Sequence, residues 1–139
     1  MNDDAKIRSV LEEAQVIALV GASPDPSRAS NSVGRFLQRQ GYRVIPVNPM
    51  AVGEELFGEP VVASLAEAAE ADFLDIFRRS EAVPPIVSEA MQVMPKLRTI
   101  WMQLGITSEE ARAQAEAAGL GVIEDRCPAI EIPRLGITR

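Results

Sequence analysis

Three small residues, Gly21-Ala22-Ser23, follow a short apolar run, and helical spacing resumes at Ser32. A glycine there permits a tight exit from a strand. Ala22 and Ser23 leave room for a ligand to approach the backbone, and a helix starting near Ser32 offers unpaired N–H groups to an anion. This outlines a phosphate cradle, although a glycine suits any strand-to-helix turn. Arg28 lies inside the loop and Arg78 follows a later apolar run, so both could reach one anion from different sides, with surface salt bridging as the alternative use. Asn48 could bond an adenosine hydroxyl or base, while Asn48-Pro49 equally makes a turn. Gln103 is the polar residue that follows Trp101-Met102. Trp101 itself is expected in the core.

Much chemistry is excluded by composition. The 139 residues include no histidine and one cysteine, Cys127, so a Cys/His zinc cluster, a Ser-His-Asp triad and an internal disulfide are all ruled out. An enzyme acting on an acyl thioester or nucleotide would have to use Cys127 as nucleophile with Glu124 or Asp125 as base. Only Arg126 stands near enough in sequence to activate the thiol. Glu54, Glu55 and Glu59 share a loop without coordinating spacing, so they read as solvated and no metal is expected. A net charge of −6 with no basic run argues against duplex nucleic acid as a partner. No apolar run reaches membrane-spanning length and the start Met1-Asn-Asp-Asp-Ala5 lacks a secretory pattern, so a cytoplasmic protein is expected.

The elements that must position these residues alternate regularly. Apolar residues at Ile7, Val10, Leu11 and Ala14 predict a helix over Lys6–Ala14. Strands are predicted at Val16–Val20, Arg43–Val47, Phe73–Phe77, Thr99–Met102 and Gly121–Glu124, with Pro46 placing the second at a strand end or a sheet edge. Helices are predicted at Ser32–Gln40, from the capping-box spacing Ser64–Glu67 to about Glu70, at Pro84–Met94, and from Thr107–Glu110 to Gly119. The tail Ala129–Ile137 is too apolar to hang free and must pack on its own sheet or on a second copy. The alternation implies one α/β domain over residues 1–139, a Rossmann-like three-layer sandwich with a five-stranded parallel sheet of order 3-2-1-4-5 and helices on both faces. A ligand would then sit beyond the carboxyl ends of the strands, between the first strand and Thr99–Met102.

A dinucleotide fold would usually suggest NAD, but Gly21 and Gly34 do not form Gly-x-Gly-x-x-Gly. The second strand ends in Val47-Asn48-Pro49, without the acid that grips a ribose. A hydride-transfer enzyme is therefore not expected.

Taken together, Val20-Gly-Ala-Ser-Pro24, Arg28, Val47-Asn-Pro49, Asp75-Ile-Phe-Arg78, Trp101-Met-Gln-Leu-Gly105 and Asp125-Arg-Cys-Pro128 resemble the stand-alone bacterial CoA-binding domain family over nearly the whole chain. That family is similar to the nucleotide-binding domain of the succinyl-CoA synthetase alpha subunit. The resemblance implies coenzyme A or an acyl-CoA as ligand, with Gly21, Ala22 and Ser23 against the diphosphate and Val47, Asn48 and Pro49 near the adenosine. It also implies Ile76, Phe77 and Arg78 on the opposite wall and Gln103 toward the pantetheine arm. Many relatives carry a basic residue after the Asn-Pro pair where this chain has Met50, which leaves Arg28 as the partner for the 3′-phosphate. The synthetase's phosphorylated histidine comes from a further domain. Both are missing here, so a non-catalytic binding or carrier module is the expected role.

Overall fold

Val16-Ile-Ala-Leu-Val20 is apolar at every position because the strand it forms, β1, is covered on both faces. The structure, a computed structural model, describes residues 3–138, so Met1, Asn2 and Arg139 of the expected domain lie outside the described residues. Around β1 the chain runs through α1 (Asp3–Glu13), α2 (Ala29–Arg39), β2 (Arg43–Val47) and a small antiparallel hairpin of β3 (Glu55–Leu56) and β4 (Glu59–Pro60). It continues through β5 (Phe73–Ile76), α3 (Val83–Val93), β6 (Thr99–Met102), α4 (Glu109–Ala117), β7 (Gly121–Ile123) and α5 (Pro128–Leu135).

The main sheet has the order β2-β1-β5-β6-β7 and is parallel throughout. Outside β2, Val62 makes one parallel bridge to Val47, with Val62 N donating to Pro46 O at 2.9 Å and Asn48 N to Val62 O at 2.9 Å. Counted as a vestigial third strand, Val62 gives the sheet the expected 3-2-1-4-5 pattern, with β7 added as a sixth strand. The identity of the third strand is corrected: Phe73–Ile76 does not lie beyond β2 but pairs with β1, Ala18 opposite Leu74 and Val20 opposite Ile76. A one-residue ladder leaves no pattern to read, and nothing local in a parallel strand names its partner. The topological switch therefore falls between β1 and β5, not between β1 and Thr99–Met102.

Alternation along the strands builds two cores. Ala18, Val20, Leu74, Ile76, Ile100 and Met102 pack toward α3 and α4 through Val83, Val87, Ala111 and Ala115. Ile17, Leu19, Phe73 and Trp101 pack toward α1, α2 and α5 through Ile7, Leu11, Leu37 and Ile132. Each fully buried Leu, Ile or Phe contributes roughly 1.5–3 kcal/mol relative to exposure. The apolar tail resolves onto its own sheet as α5, with Ile132 and Ile137 buried. Trp101 is wholly buried, stacks on Phe73 with ring centroids 5.7 Å apart, and donates from Nε1 to Arg126 O at 2.7 Å.

Local boundaries shift where capping differs from the sequence pattern. α2 starts at Ala29, three residues before Ser32, because extended Arg28 caps it and Arg28 O accepts from Asn31 N and Ser32 N. The Ser64 segment closes only a 3₁₀ turn at Leu65–Ala68. α4 is capped by Ser108, whose Oγ accepts from Ala111 N at 3.1 Å.

Gly34, inside α2, has a packing role: a Cβ there would stand within the ring of Phe57, which the β3–β4 turn presses onto the helix. Gly34→Ala should therefore destabilise the domain by about 1–3 kcal/mol in urea unfolding, even though alanine is the better helix former. A more stable variant would show that the ring yields freely.

Candidate functional site

At the carboxyl end of β1 the chain turns sharply. Gly21 has φ +91°, and a Cβ on it would lie 2.5 Å from the Phe77 carbonyl oxygen, so only glycine fits where the exits of β1 and β5 meet. Gly21 N and Ala22 N both donate to Val47 O, at 3.0 and 3.4 Å, and Phe77 N donates to Val20 O at 2.9 Å. The ends of β2, β1 and β5 are thus tied together, and the loops that leave them surround an open cleft.

This cleft has a volume of about 410 Å³ and is lined by Gly21, Ser23, Arg28, Ala29, Ser30, Asn48, Phe77 and Arg78. The size is that of a small-ligand site, commonly about 300–1,000 Å³. The structure brings together six of the residues singled out in the sequence: Gly21, Ser23, Arg28, Asn48, Phe77 and Arg78. Ala22, Val47 and Ile76 are instead buried at the strand ends and do not line it. Pro49 is exposed at the rim in a 3₁₀ turn, and Ser32 is exposed one turn into α2, donating to Ala29 O at 3.2 Å. Gln103 lies off the cleft, 6% exposed, on the far side of β5.

Several of these groups have their hydrogen-bonding capacity already engaged. Asn48 Nδ2 donates to Ala22 O at 2.7 Å and Asn48 Oδ1 accepts from Met50 N at 2.9 Å, so this side chain fastens the cradle loop to the end of β2. Buried Asn31 does the same from α2, donating to Ser23 O at 2.9 Å. With Gly21 N and Ala22 N bound to Val47 O, the backbone N–H groups of the cleft-lining residues that have no partner among the described residues are those of Ser23, Ala29, Ser30 and Arg78. Ala29 and Ser30 escape sequence reading because the helix start is hidden. The serine and asparagine that precede Val33 were its one visible signal. Ser23 Oγ accepts from Asp25 N at 3.1 Å, which leaves its own proton free to donate.

The electrostatics favour an anion. Arg28 and Arg78 are exposed at the cleft and neither makes an ion pair among the described residues. The nearest acid in the loop, Asp25, accepts from Ser27 N at 2.9 Å and Ser27 Oγ at 2.8 Å, and these bonds hold its carboxyl below the usual range. Arg43 and Arg134, by contrast, are taken: Arg43 binds Glu59 at 2.7 Å and Glu70 at 2.8 Å, and Arg134 binds Asp4 and Glu131. Glu59, one of the three loop acids, is thereby explained as an ion-pair partner.

Asp75, the first residue of the Asp75-Ile-Phe-Arg78 stretch, is a polar position in an apolar strand. It is completely buried in β5, in register with Leu19 and Trp101, and neither carboxylate oxygen has a partner. Burial pushes its carboxyl well above the usual range. Cys127 is also buried, capping α5.

The fold and the site define a class: a doubly wound α/β domain with an anion-receptive cleft at its topological switch point. Within that class the chain belongs to the CoA binding domain family, whose profile matches residues 15–133. It is 36% identical over 124 residues to the uncharacterised protein YneT of Bacillus subtilis, covering 88% of this chain and 89% of that one. Among solved structures it is similar to a Thermus thermophilus protein described as cell-free ID.343, at 43% identity and TM-score 0.89, covering 97% of this chain and 99% of that one. It is also similar to a hypothetical protein of Pyrococcus horikoshii, at 33% identity and TM-score 0.88, covering 98% and 94%.

A buried acid that keeps its proton in the fold but loses it on unfolding destabilises the fold as pH rises. For Asp75 the loss begins near the ordinary aspartate value of about 4 and grows by about 1.4 kcal/mol per pH unit until the folded carboxyl ionises. Urea unfolding should show Asp75→Asn gaining more over the wild type at pH 8 than at pH 5. An equal difference at both would contradict a raised carboxyl.

Proposed function

We propose that the protein binds coenzyme A or an acyl-CoA in the cleft after β1, as a non-catalytic binding or carrier module. The observation that carries this reading is the conjunction of backbone donors at Ser23, Ala29 and Ser30 with the guanidinium groups of Arg28 and Arg78, none of them hydrogen-bonded or ion-paired among the described residues. A diphosphate presents the matching acceptors and charge. In this reading the diphosphate lies on Ser23 and the first turn of α2, above the strand ends around Gly21, Ala22, Val47 and Ile76. Adenosine lies beside Asn48, Pro49 and the exposed side chain of Met50, Arg28 takes the 3′-phosphate, and Ser32 stands at the outer edge. Phe77 and Arg78 form the opposite wall, from which the pantetheine arm extends toward Gln103. Membership of the CoA binding domain family supports the ligand class.

The arrangement offers binding without reaction chemistry. No nucleophile lies among the cleft-lining residues apart from serine hydroxyls, and they have no histidine to activate them. Cys127 is 6% exposed, which disfavours the thioester-enzyme alternative. Among the described residues no helix is long and apolar enough to cross a membrane.

Isothermal titration should show CoA binding with no comparable binding of NAD; binding of NAD alone would overturn the reading. Arg28→Ala and Arg78→Ala should each weaken CoA roughly tenfold, since charge-assisted bonds contribute about 1.5–3 kcal/mol before solvent screening reduces them. Ser23→Phe should fill the cradle and abolish binding while leaving the thermal unfolding cooperative. Unchanged affinity in that variant would place the ligand elsewhere.

A further inference from the structure

Among the described residues three buried side-chain oxygens have no partner: both of Asp75 and Oε1 of Gln103. They belong to neighbouring strands. Asp75 is in register with Trp101, and Gln103 N donates to Ile76 O at 3.3 Å, so the chain pairing continues one residue past β6. They also share a face. Phe73 and Trp101 project toward α1, α2 and α5, and Asp75 and Gln103 each stand two residues further along the same strands. A cluster of acceptors with no donor is not a satisfiable arrangement, since each orphan costs about as much as a lost hydrogen bond. One of the three oxygens must carry a proton or meet a donor.

We propose that Asp75 is a positioning residue whose carboxyl O–H donates to Gln103 Oε1, directly or through one internal water, and so turns the Gln103 amide nitrogen outward to donate to a carbonyl of the ligand's pantetheine arm. This rests on the CoA reading of the cleft. The proton comes from Asp75 itself, whose surroundings, Leu19 and Trp101 in register and Phe73 on the same strand, contain no cation to stabilise a carboxylate. Complete burial holds it in the neutral form. Gln103 is the member of the pair that reaches the surface, at 6% exposure against none for Asp75. A primary amide whose oxygen is fixed inward has its two N–H donors directed away from the pair. Phe77, on the cleft wall, lies across the strand pairing from Gln103, so a chain leaving the cleft over Phe77 meets the amide next. The pair is distinct from the cradle, because it would recognise an amide-bearing arm and not phosphate.

Two measurements test it. In ligand-free protein at neutral pH, infrared difference spectra should show a carboxylic-acid carbonyl band that Asp75→Asn removes and Gln103→Leu shifts upward. Absence of the band, or a band indifferent to Gln103→Leu, overturns the pairing whether or not CoA binds. Titration with CoA and with ADP, which lacks the arm, then tests the outward half. Asp75→Leu should weaken CoA by roughly five- to tenfold, the range of one neutral hydrogen bond, with ADP unchanged. Asp75→Asn, which keeps a donor, should restore CoA, and Asp75→Leu should add nothing to Gln103→Leu. Equal losses for CoA and ADP would mean a merely structural role and overturn the proposal. Failure of the wild type to bind CoA at all would overturn the CoA reading and the outward half together, leaving the infrared result to decide the pairing.

Discussion

The exits of β1 and β5 meet so closely that no side chain fits between them, and the site is built around that contact. At Gly21 a Cβ would overlap the Phe77 carbonyl, while Phe77 N is bonded to Val20 O and the Gly21 and Ala22 amides share Val47 O. Three strand ends are thereby held at fixed spacing. The loops leaving them have to diverge: one through Ser23 to Ser30, one through Asn48, one through Phe77 and Arg78. The crevice between diverging loops is the geometric result of a sheet whose connections leave in opposite directions. Asn48 and Asn31 reinforce it by fastening the start of the first loop from two sides, at Ala22 O and Ser23 O. A cradle held in this way loses little freedom when a ligand arrives, which favours affinity.

Charge is distributed in keeping with this arrangement. The chain has 20 acidic against 14 basic residues, so an arginine has no shortage of partners. Arg43, Arg112 and Arg134 each engage two carboxylates. Arg28 and Arg78, at the cleft, make no ion pair among the described residues, and the Asp25 carboxylate, held ionised by its bonds from Ser27, acts on Arg28 only at longer range. Exposed ion pairs contribute only about 0–1 kcal/mol, so the paired arginines say little about stability. The two at the cleft matter because they concentrate positive potential in a concave place, where field lines are focused.

Much of the fold could be read from local pattern, and what could not is instructive. β1, β2 and β6 have the bounds expected of them because each is a short, largely apolar run closed by a glycine, an Asn-Pro pair or a polar residue. Strand position was not readable. Val62 occupies the third place through a single bridge, and Phe73–Ile76 moves inward to pair with β1, since the central strands are buried on both faces and neither face names a neighbour. This one displacement explains the site as well: Phe77 and Arg78 line the cleft because they follow the strand beside β1, and Gln103 stands a strand further off. α5 was seen only as an apolar tail, its helical spacing obscured by Pro128 and Pro133. The true donors of the first helical turn, Ala29 and Ser30, were missed because Arg28 caps α2 by backbone conformation and not by a recognisable side chain.

Asp75 is the place where local and global requirements disagree. Its neighbours in β5, Phe73, Leu74 and Ile76, are wholly buried and apolar, and so are Leu19 and Trp101 beside it. Leucine at position 75 would pack as well and would remove a group whose burial destabilises the fold at neutral pH. Sequences that specify a fold are consistent across levels, and a single inconsistency in an otherwise regular strand marks a position with a requirement besides packing. The second orphaned acceptor, Gln103 Oε1, is on the adjacent strand and the same face, toward the sheet end that opens on the cleft. Two isolated defects would have no reason to be neighbours. One hydrogen-bonded pair, with its free donor facing the path a ligand takes out of the cleft, accounts for both.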